Sequence, residues 1–93
     1  MTATYLVEHY WPGITPGRFR DAADRVRAGA EELAAGGAAI AFLHSTMVPG
    51  DESAFCVFDA ESAQLVVDAY RRAGVRFERI VDAVEGGERQ HVS

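Results

Sequence analysis

Two ionisable side chains, Glu8 and His9, stand next to each other in the stretch VEHYWPG at residues 7–13. Carboxylates and imidazoles are among the side chains that most often transfer protons in enzymes or bind divalent metal ions. Their neighbours are apolar or aromatic, as in a buried strand, and a buried ionisable group is costly unless it is hydrogen-bonded, paired or metal-bound. Each is therefore a candidate site residue, unless both lie near the end of the strand and reach solvent past Pro12.

His44 and Cys56 are the other residues that could carry chemistry. His44 lies in the apolar run at residues 39–48, as either a satisfied core histidine or a residue that opens into a pocket. Cys56 is either a small buried side chain or a nucleophile. Together with His9 and Glu8 they are candidate metal ligands, although the chain has no tight ligand spacing such as CxxC or HxxxH. A dimer interface could bring ligands together from two copies.

Three aromatic residues, Tyr10, Trp11 and Tyr70, could line a pocket for a small organic ligand or pack as ordinary core. If the protein is an enzyme of the monooxygenase, isomerase or cyclase type that needs no cofactor, these rings would shape the pocket. The acid or base would then be His9 or His44.

The apolar spacing, helix-capping residues and Pro or Gly turns predict six elements in the order βαββαβ. These are strands at residues 4–10, 39–48, 53–60 and 79–84, a helix capped by Thr15 that runs to about Ala35, and a helix between Ser62 and Gly74. This order is typical of the α+β ferredoxin-like fold, a four-stranded antiparallel sheet with two helices on one face. The first strand is central in that fold, so Glu8 and His9 lie on opposite faces of the sheet.

The four-residue turn Pro49-Gly50-Asp51-Glu52 predicts a regular hairpin. In its register the pairs are Thr46 with Phe55, His44 with Val57, Ser45 with Cys56 and Leu43 with Phe58. Both faces of the hairpin are then apolar, with Ile40, Phe42 and His44 on one side. Because the helices cover only one face, we expect the other to pack against a second copy, as a homodimer or dimeric α/β barrel.

Chain length, net charge and amino-acid composition limit the class of protein. A chain of 93 residues is one domain, predicted at residues 1–86 with a flexible tail at 87–93 in which His91 is solvated. A net charge of −5, with scattered arginine as its only basic residue, argues against a nucleic-acid partner. The single cysteine and the lack of a signal peptide or membrane-length apolar run predict a cytoplasmic protein without membrane contact. Zero lysine with abundant Ala, Gly and Arg is typical of a GC-rich bacterial genome.

Three runs carry a resemblance to a known family: YLVEHYWPG at residues 5–13, STMVPGDESAFCVFDA at 45–60 and YRRAGVRFERIV at 70–81. They resemble a small bacterial family, classed as a domain of unknown function, that includes a nickel-binding member with a ferredoxin-like fold. The resemblance spans roughly residues 4 to 85, and its most specific parts are His9 and the strand Phe55 to Ala60. It implies the same fold, a dimer and a nickel site near the first strand.

The sequence departs from that family in the second helix. Members resembling the nickel binder carry a stretch of the form HREAHG where this chain has YRRAG, so Tyr70 takes the place of a histidine. One ligand implied by the resemblance is therefore missing. The leading prediction is a small homodimeric protein that binds nickel or another divalent metal, with His9 as the first ligand. The alternatives are the cofactor-independent enzyme and a binding or scaffold protein without chemistry.

Overall fold

A four-stranded antiparallel sheet and two helices make up residues 1–84, the part of the chain described by this computed structural model. The elements are β1 (Ala3–Tyr10), α1 (Pro16–Ala35), β2 (Ile40–Val48), β3 (Ser53–Ala60), α2 (Ala63–Ala73) and β4 (Arg79–Ala83), with a short 3-10 turn at Pro49–Asp51. This confirms the predicted α+β, ferredoxin-like order. The predicted tail at residues 87–93 lies outside the described residues.

The strands are arranged in the order β2-β3-β1-β4, and every neighbouring pair is antiparallel. β1 is therefore central, as predicted, with β3 on one side and β4 on the other. Successive side chains of β1 alternate between the two faces of the sheet. His9 shares the helix-covered face with Val7, whereas Leu6 and Glu8 lie on the opposite face.

Both helices begin and end at residues that the sequence marks. The Thr15 hydroxyl accepts a hydrogen bond from the Arg18 amide at 3.2 Å, and the Ser62 hydroxyl accepts one from the Leu65 amide at 3.4 Å. Gly74 ends α2 with φ at 68°, a left-handed conformation that glycine adopts without strain. Neither described helix is both long and apolar enough to span a membrane.

The hydrophobic core lies between the helices and one face of the sheet. Its most buried large side chains are those of Val7, Val26, Cys56, Phe58, Val66 and Tyr70. Burying an aliphatic or aromatic side chain contributes roughly 1.5–3 kcal/mol each, so this layer is the main source of stability in a chain of this size.

A β-bulge in β2 overturns part of the predicted hairpin. The pairs of Thr46, His44 and Ser45 with their partners on β3 are confirmed, but Leu43 does not face Phe58. Phe42 pairs with Phe58 instead, because the ladder passes over one extra residue between Phe42 and His44. An extra residue reverses the alternation of side chains, so Phe42 and Ile40 lie on the helix-covered face, away from His44.

The opposite side of the sheet is covered by no element within residues 1–84, and we call it the open face. Its central row runs across all four strands, through Val81, Leu6, Val57 and His44. The next row consists of Arg79, Glu8, Phe55 and Thr46. The central row is therefore aliphatic and ends at His44, whereas three of the four residues in the next row are polar or charged.

The two helices approach closely at Gly29. A Cβ atom added to Gly29 would lie 2.7 Å from the backbone oxygen of Ala69 in α2, closer than atoms of this kind can pack. Gly29 is buried, so the contact holds α1 against α2 within the core. By contrast, a Cβ atom at Gly17 in the first turn of α1 would meet no atom within 4 Å.

We predict that Gly29→Ala destabilises the protein by about 1–3 kcal/mol, because the helices must move apart despite the better helix propensity of alanine. The matched variant Gly17→Ala should be neutral or stabilise the protein by up to about 1 kcal/mol. Urea unfolding measures both. Equal stability of the two variants would contradict the close approach of the helices.

Candidate functional site

His9 is the one buried polar or charged residue among residues 1–84, with 2% of its surface exposed. It lies near the end of β1, beneath the helices. Its Nδ1 atom is 2.9 Å from the carbonyl oxygen of Ala54 in β3, and its Nε2 atom is 2.8 Å from the hydroxyl of Tyr70 in α2. The imidazole therefore joins the central strand to a neighbouring strand and to a helix.

These two partners determine where the protons lie. A carbonyl oxygen can only accept, so Nδ1 donates to Ala54, and in the neutral ring Nε2 then accepts the hydroxyl proton of Tyr70. Burial lowers the pKa of His9 below its ordinary value, and the hydrogen bond to Ala54 and the charge of Glu78 oppose that effect only partly. Burial likewise raises the pKa of Tyr70, which keeps its hydroxyl protonated.

Cys56 belongs to the same buried layer as Tyr70. It is 2% exposed on the helix-covered face of β3, within the hydrophobic core. Burial raises the pKa of the Cys56 thiol, which disfavours the thiolate needed for nucleophilic attack or metal ligation. Tyr70, His9 and Ala54 thus form one chain of donors and acceptors, here called the buried relay.

Trp11 closes the outer end of the buried relay. Its ring lies with its centroid 4.5 Å from that of His9 and 6.3 Å from that of Phe19 in α1. The amide of Trp11 donates to the carbonyl of Glu52 at 2.8 Å, which fixes the start of the β1–α1 loop. Of the three predicted pocket aromatics, Trp11 and Tyr70 contact His9, whereas Tyr10 is 55% exposed at the end of β1.

The remaining candidates, Glu8 and His44, lie on the open face, away from His9. The two carboxylate oxygens of Glu8 accept hydrogen bonds from Arg79 at 2.8 and 3.2 Å. The hydrogen bond from Arg79 lowers the pKa of Glu8. His44 is exposed in β2 and pairs with Val57 across the ladder. The structure therefore brings His9, Cys56 and Tyr70 together and separates them from His44 by the thickness of the sheet.

A pocket of about 580 Å³ opens beside Trp11, between the β1–α1 loop, the first half of α1 and the α2–β4 loop. It is lined by Tyr10, Trp11, Pro12, Gly13, Ile14, Arg18, Ala22, Arg25, Gly74, Val75 and Arg76. Sequence reasoning missed the three arginines. The spacing of Arg18, Ala22 and Arg25, which places them on one side of α1, was the signal that could have identified two of them. Neither His9 nor His44 lines this pocket.

The residues described here do not form a nickel site within one chain. No group of three or more His, Cys, Asp or Glu side chains within residues 1–84 is close enough to hold a metal ion. Both nitrogens of His9 have hydrogen-bond partners, and the thiol of Cys56 favours its protonated form. Of the four predicted ligands, His9 and Cys56 lie on the helix-covered face, whereas Glu8 and His44 lie on the open face, so the four do not meet around one ion in a single subunit.

We predict that Tyr70→Phe destabilises the protein by about 1–3 kcal/mol, because it leaves the Nε2 atom of buried His9 without a partner. Tyr10→Phe is the matched control, since the exposed Tyr10 hydroxyl has only a 3.5 Å contact with Glu52. Urea unfolding at neutral pH should show little change in the control. A Tyr70→Phe variant as stable as wild type would contradict the buried relay.

The lowered pKa of His9 also predicts a dependence of stability on pH. The unfolded chain exposes this imidazole and takes up a proton below about pH 6.5, whereas the folded chain resists protonation there. The stabilisation is therefore present above about pH 6.5 and is lost as the pH falls below that value. The free energy of unfolding, measured from about pH 7.5 to 5, should fall in wild type and less steeply in His9→Gln. A slope in His9→Gln as steep as that of wild type would show that His9 is not the group responsible.

Comparison with solved structures shows the same fold in a protein from Streptomyces. The crystal structure of SCO4226 from Streptomyces coelicolor A3(2) superimposes with a TM-score of 0.76 at 20% sequence identity. The match covers 91% of this chain and 100% of that one, and at this identity it bears on the fold alone.

Comparison with protein families bears on the sequence itself. No curated protein matches the chain. Residues 5–82, which include most of β1 and most of β4, match the family described as nickel responsive protein SCO4226-like. The chain belongs to the SCO4226-like family of nickel responsive proteins.

Proposed function

We propose that this protein is a nickel-responsive homodimer that binds Ni²⁺ between its two copies, with His44 of each copy as a ligand. The family description supports the link to nickel. The observation that carries the proposal is the position of His44, an exposed imidazole at the end of an otherwise apolar row on the open face. Imidazole nitrogen is a ligand that suits nickel.

The open face supports the dimer. Leu6, Phe55 and Val81 are half-buried and lie around buried Val57, so they form an apolar patch on a side of the sheet that neither helix covers. An apolar sheet face of this kind typically packs against another layer, and a second copy offers the same surface under two-fold symmetry. Pairing of the two open faces would give the predicted two-sheet barrel.

One two-fold arrangement of the open faces would bring the two copies of His44 together. A two-fold axis that runs across the strands, along the central row, places β2 of one copy over β2 of the other. The two His44 side chains then face each other across a gap of about 10 Å, the usual distance between packed sheets. Two imidazoles can reach toward one ion across that distance, and water would complete its coordination. A bound ion would thus link the two sheets at the edge of the interface.

Nickel titration into untagged protein by calorimetry tests the proposal. We expect one Ni²⁺ for every two chains in wild type, little change in His9→Gln, and loss of binding in His44→Ala. Thr46→Ala is the matched control, because Thr46 lies beside His44 on the same strand and face. Light scattering in the absence of metal measures whether the protein is a dimer, independently of nickel binding.

Three results would contradict the proposal in different ways. Retention of nickel in His44→Ala with loss in His9→Gln would place the metal at His9, as the sequence resemblance implies. A monomer under all conditions would remove the shared site. If the wild-type protein is a dimer but binds no nickel, the dimer part of the proposal holds and the nickel part is wrong.

The cofactor-independent enzyme has less support from the structure. The pocket beside Trp11 is large enough for a small substrate, but within residues 1–84 no histidine, carboxylate or thiol lines it. His9 lies behind the Trp11 ring and has both nitrogens engaged. General acid or base catalysis needs such a group within hydrogen-bond reach of the substrate.

A further inference from the structure

The arginines of this chain divide into two groups. Within residues 1–84, four of them form ion pairs: Arg27 with Asp24, Arg71 with Asp68, Arg72 with Glu32, and Arg79 with Glu8. The others are Arg18, Arg20, Arg25 and Arg76, which have no ion-pair partner among the described residues. Three of these, all except Arg20, line the pocket beside Trp11.

The pocket therefore concentrates positive charge in a protein whose net charge is −5. None of its described lining residues is acidic. Asp21 and Asp24 border a neighbouring groove along with Arg18 and Arg25; there Asp24 is paired with Arg27 at 2.9 Å, and Asp21 forms no ion pair with either of the two pocket arginines. Three like charges around one concave surface repel one another, and a bound anion would relieve that repulsion.

Different elements position the three guanidinium groups. Arg18 and Arg25 are seven residues apart on α1, with Ala22 between them, so they lie two turns apart on one side of the helix. Arg76 comes from the α2–β4 loop, directly after Gly74 and Val75. The pocket thus receives cationic side chains from two directions, a geometry suited to planar oxyanions such as carboxylate or phosphate.

The rest of the lining is apolar or aromatic. Trp11, Pro12, Ile14 and Val75 provide surface for the body of a small ligand. The ring of Trp11 is held in place by its contacts with His9 and Phe19, so this part of the pocket is formed before any ligand arrives.

We propose that this pocket is a binding site for a small organic anion, whose carboxylate or phosphate group is held by Arg18, Arg25 and Arg76 and whose flat apolar body lies against Trp11. The site is separate from the proposed nickel site, because the pocket is on the helix side of the molecule and His44 is on the open face. Either site can therefore be present without the other.

Nuclear magnetic resonance of the full chain tests the proposal with benzoate and phenyl phosphate as probes, and with neutral benzamide as the uncharged analogue of benzoate. We expect both anions to shift the backbone amide signals of residues 11–14 and 74–76 and the indole signal of Trp11. Benzamide should shift them far less. The tighter of the two anions identifies the preferred charged group.

Single-arginine variants test the role of charge. Arg25→Gln and Arg76→Gln should each weaken benzoate binding by about tenfold, since each removes a charge-assisted hydrogen bond. Arg20→Gln is the matched control, an exposed arginine of α1 that does not line the pocket, and should bind like wild type. The proposal is overturned if neither anion binds, if benzamide binds as tightly as benzoate, or if Arg20→Gln weakens binding as much as Arg25→Gln.

Discussion

The buried relay is the interaction on which the helix-covered side of the molecule depends. One imidazole, 2% exposed, has a partner on each nitrogen, and each partner belongs to a different element. A buried polar group costs free energy when it lacks a hydrogen-bond partner. His9 therefore stabilises the fold only when β1, β3 and α2 occupy the positions that place both partners beside its ring. The apolar core supplies most of the stabilisation, while His9 and Tyr70 favour one arrangement of these elements over others.

The sequence predicts the elements well because their signals are local. Thr15, Ser62 and Gly74 mark helix ends through bonds to residues within a few positions, and the structure has the helices at those places. The extra residue at Leu43 could not be predicted from the turn, because a bulge depends on which side chains the helices must cover. As a result Phe42 lies under Arg27 of α1, with the guanidinium 5.0 Å from the ring centroid.

The candidate site was only partly predictable, for a related reason. His9 and Glu8 stood out as ionisable groups in an apolar strand, and alternation along a strand places them on opposite faces. Their roles depend on residues about 60 to 70 positions away, Tyr70 for His9 and Arg79 for Glu8. The arginines of the pocket could not be identified from the sequence, because a sequence does not show which arginine side chains already form an ion pair with a carboxylate.

Trp11 has a practical consequence for work on this protein. It is the single tryptophan of the chain, and its ring contacts buried His9 on the inside and lines the arginine-bearing pocket on the outside. A neighbouring protonated imidazole quenches indole fluorescence. The emission wavelength of the indole shifts when the polarity around the ring changes. When the excitation wavelength is one that indole absorbs and tyrosine does not, the emission of the unlabelled protein therefore comes from a single ring at the boundary between core and pocket, and a change in its wavelength or intensity can be assigned to that boundary.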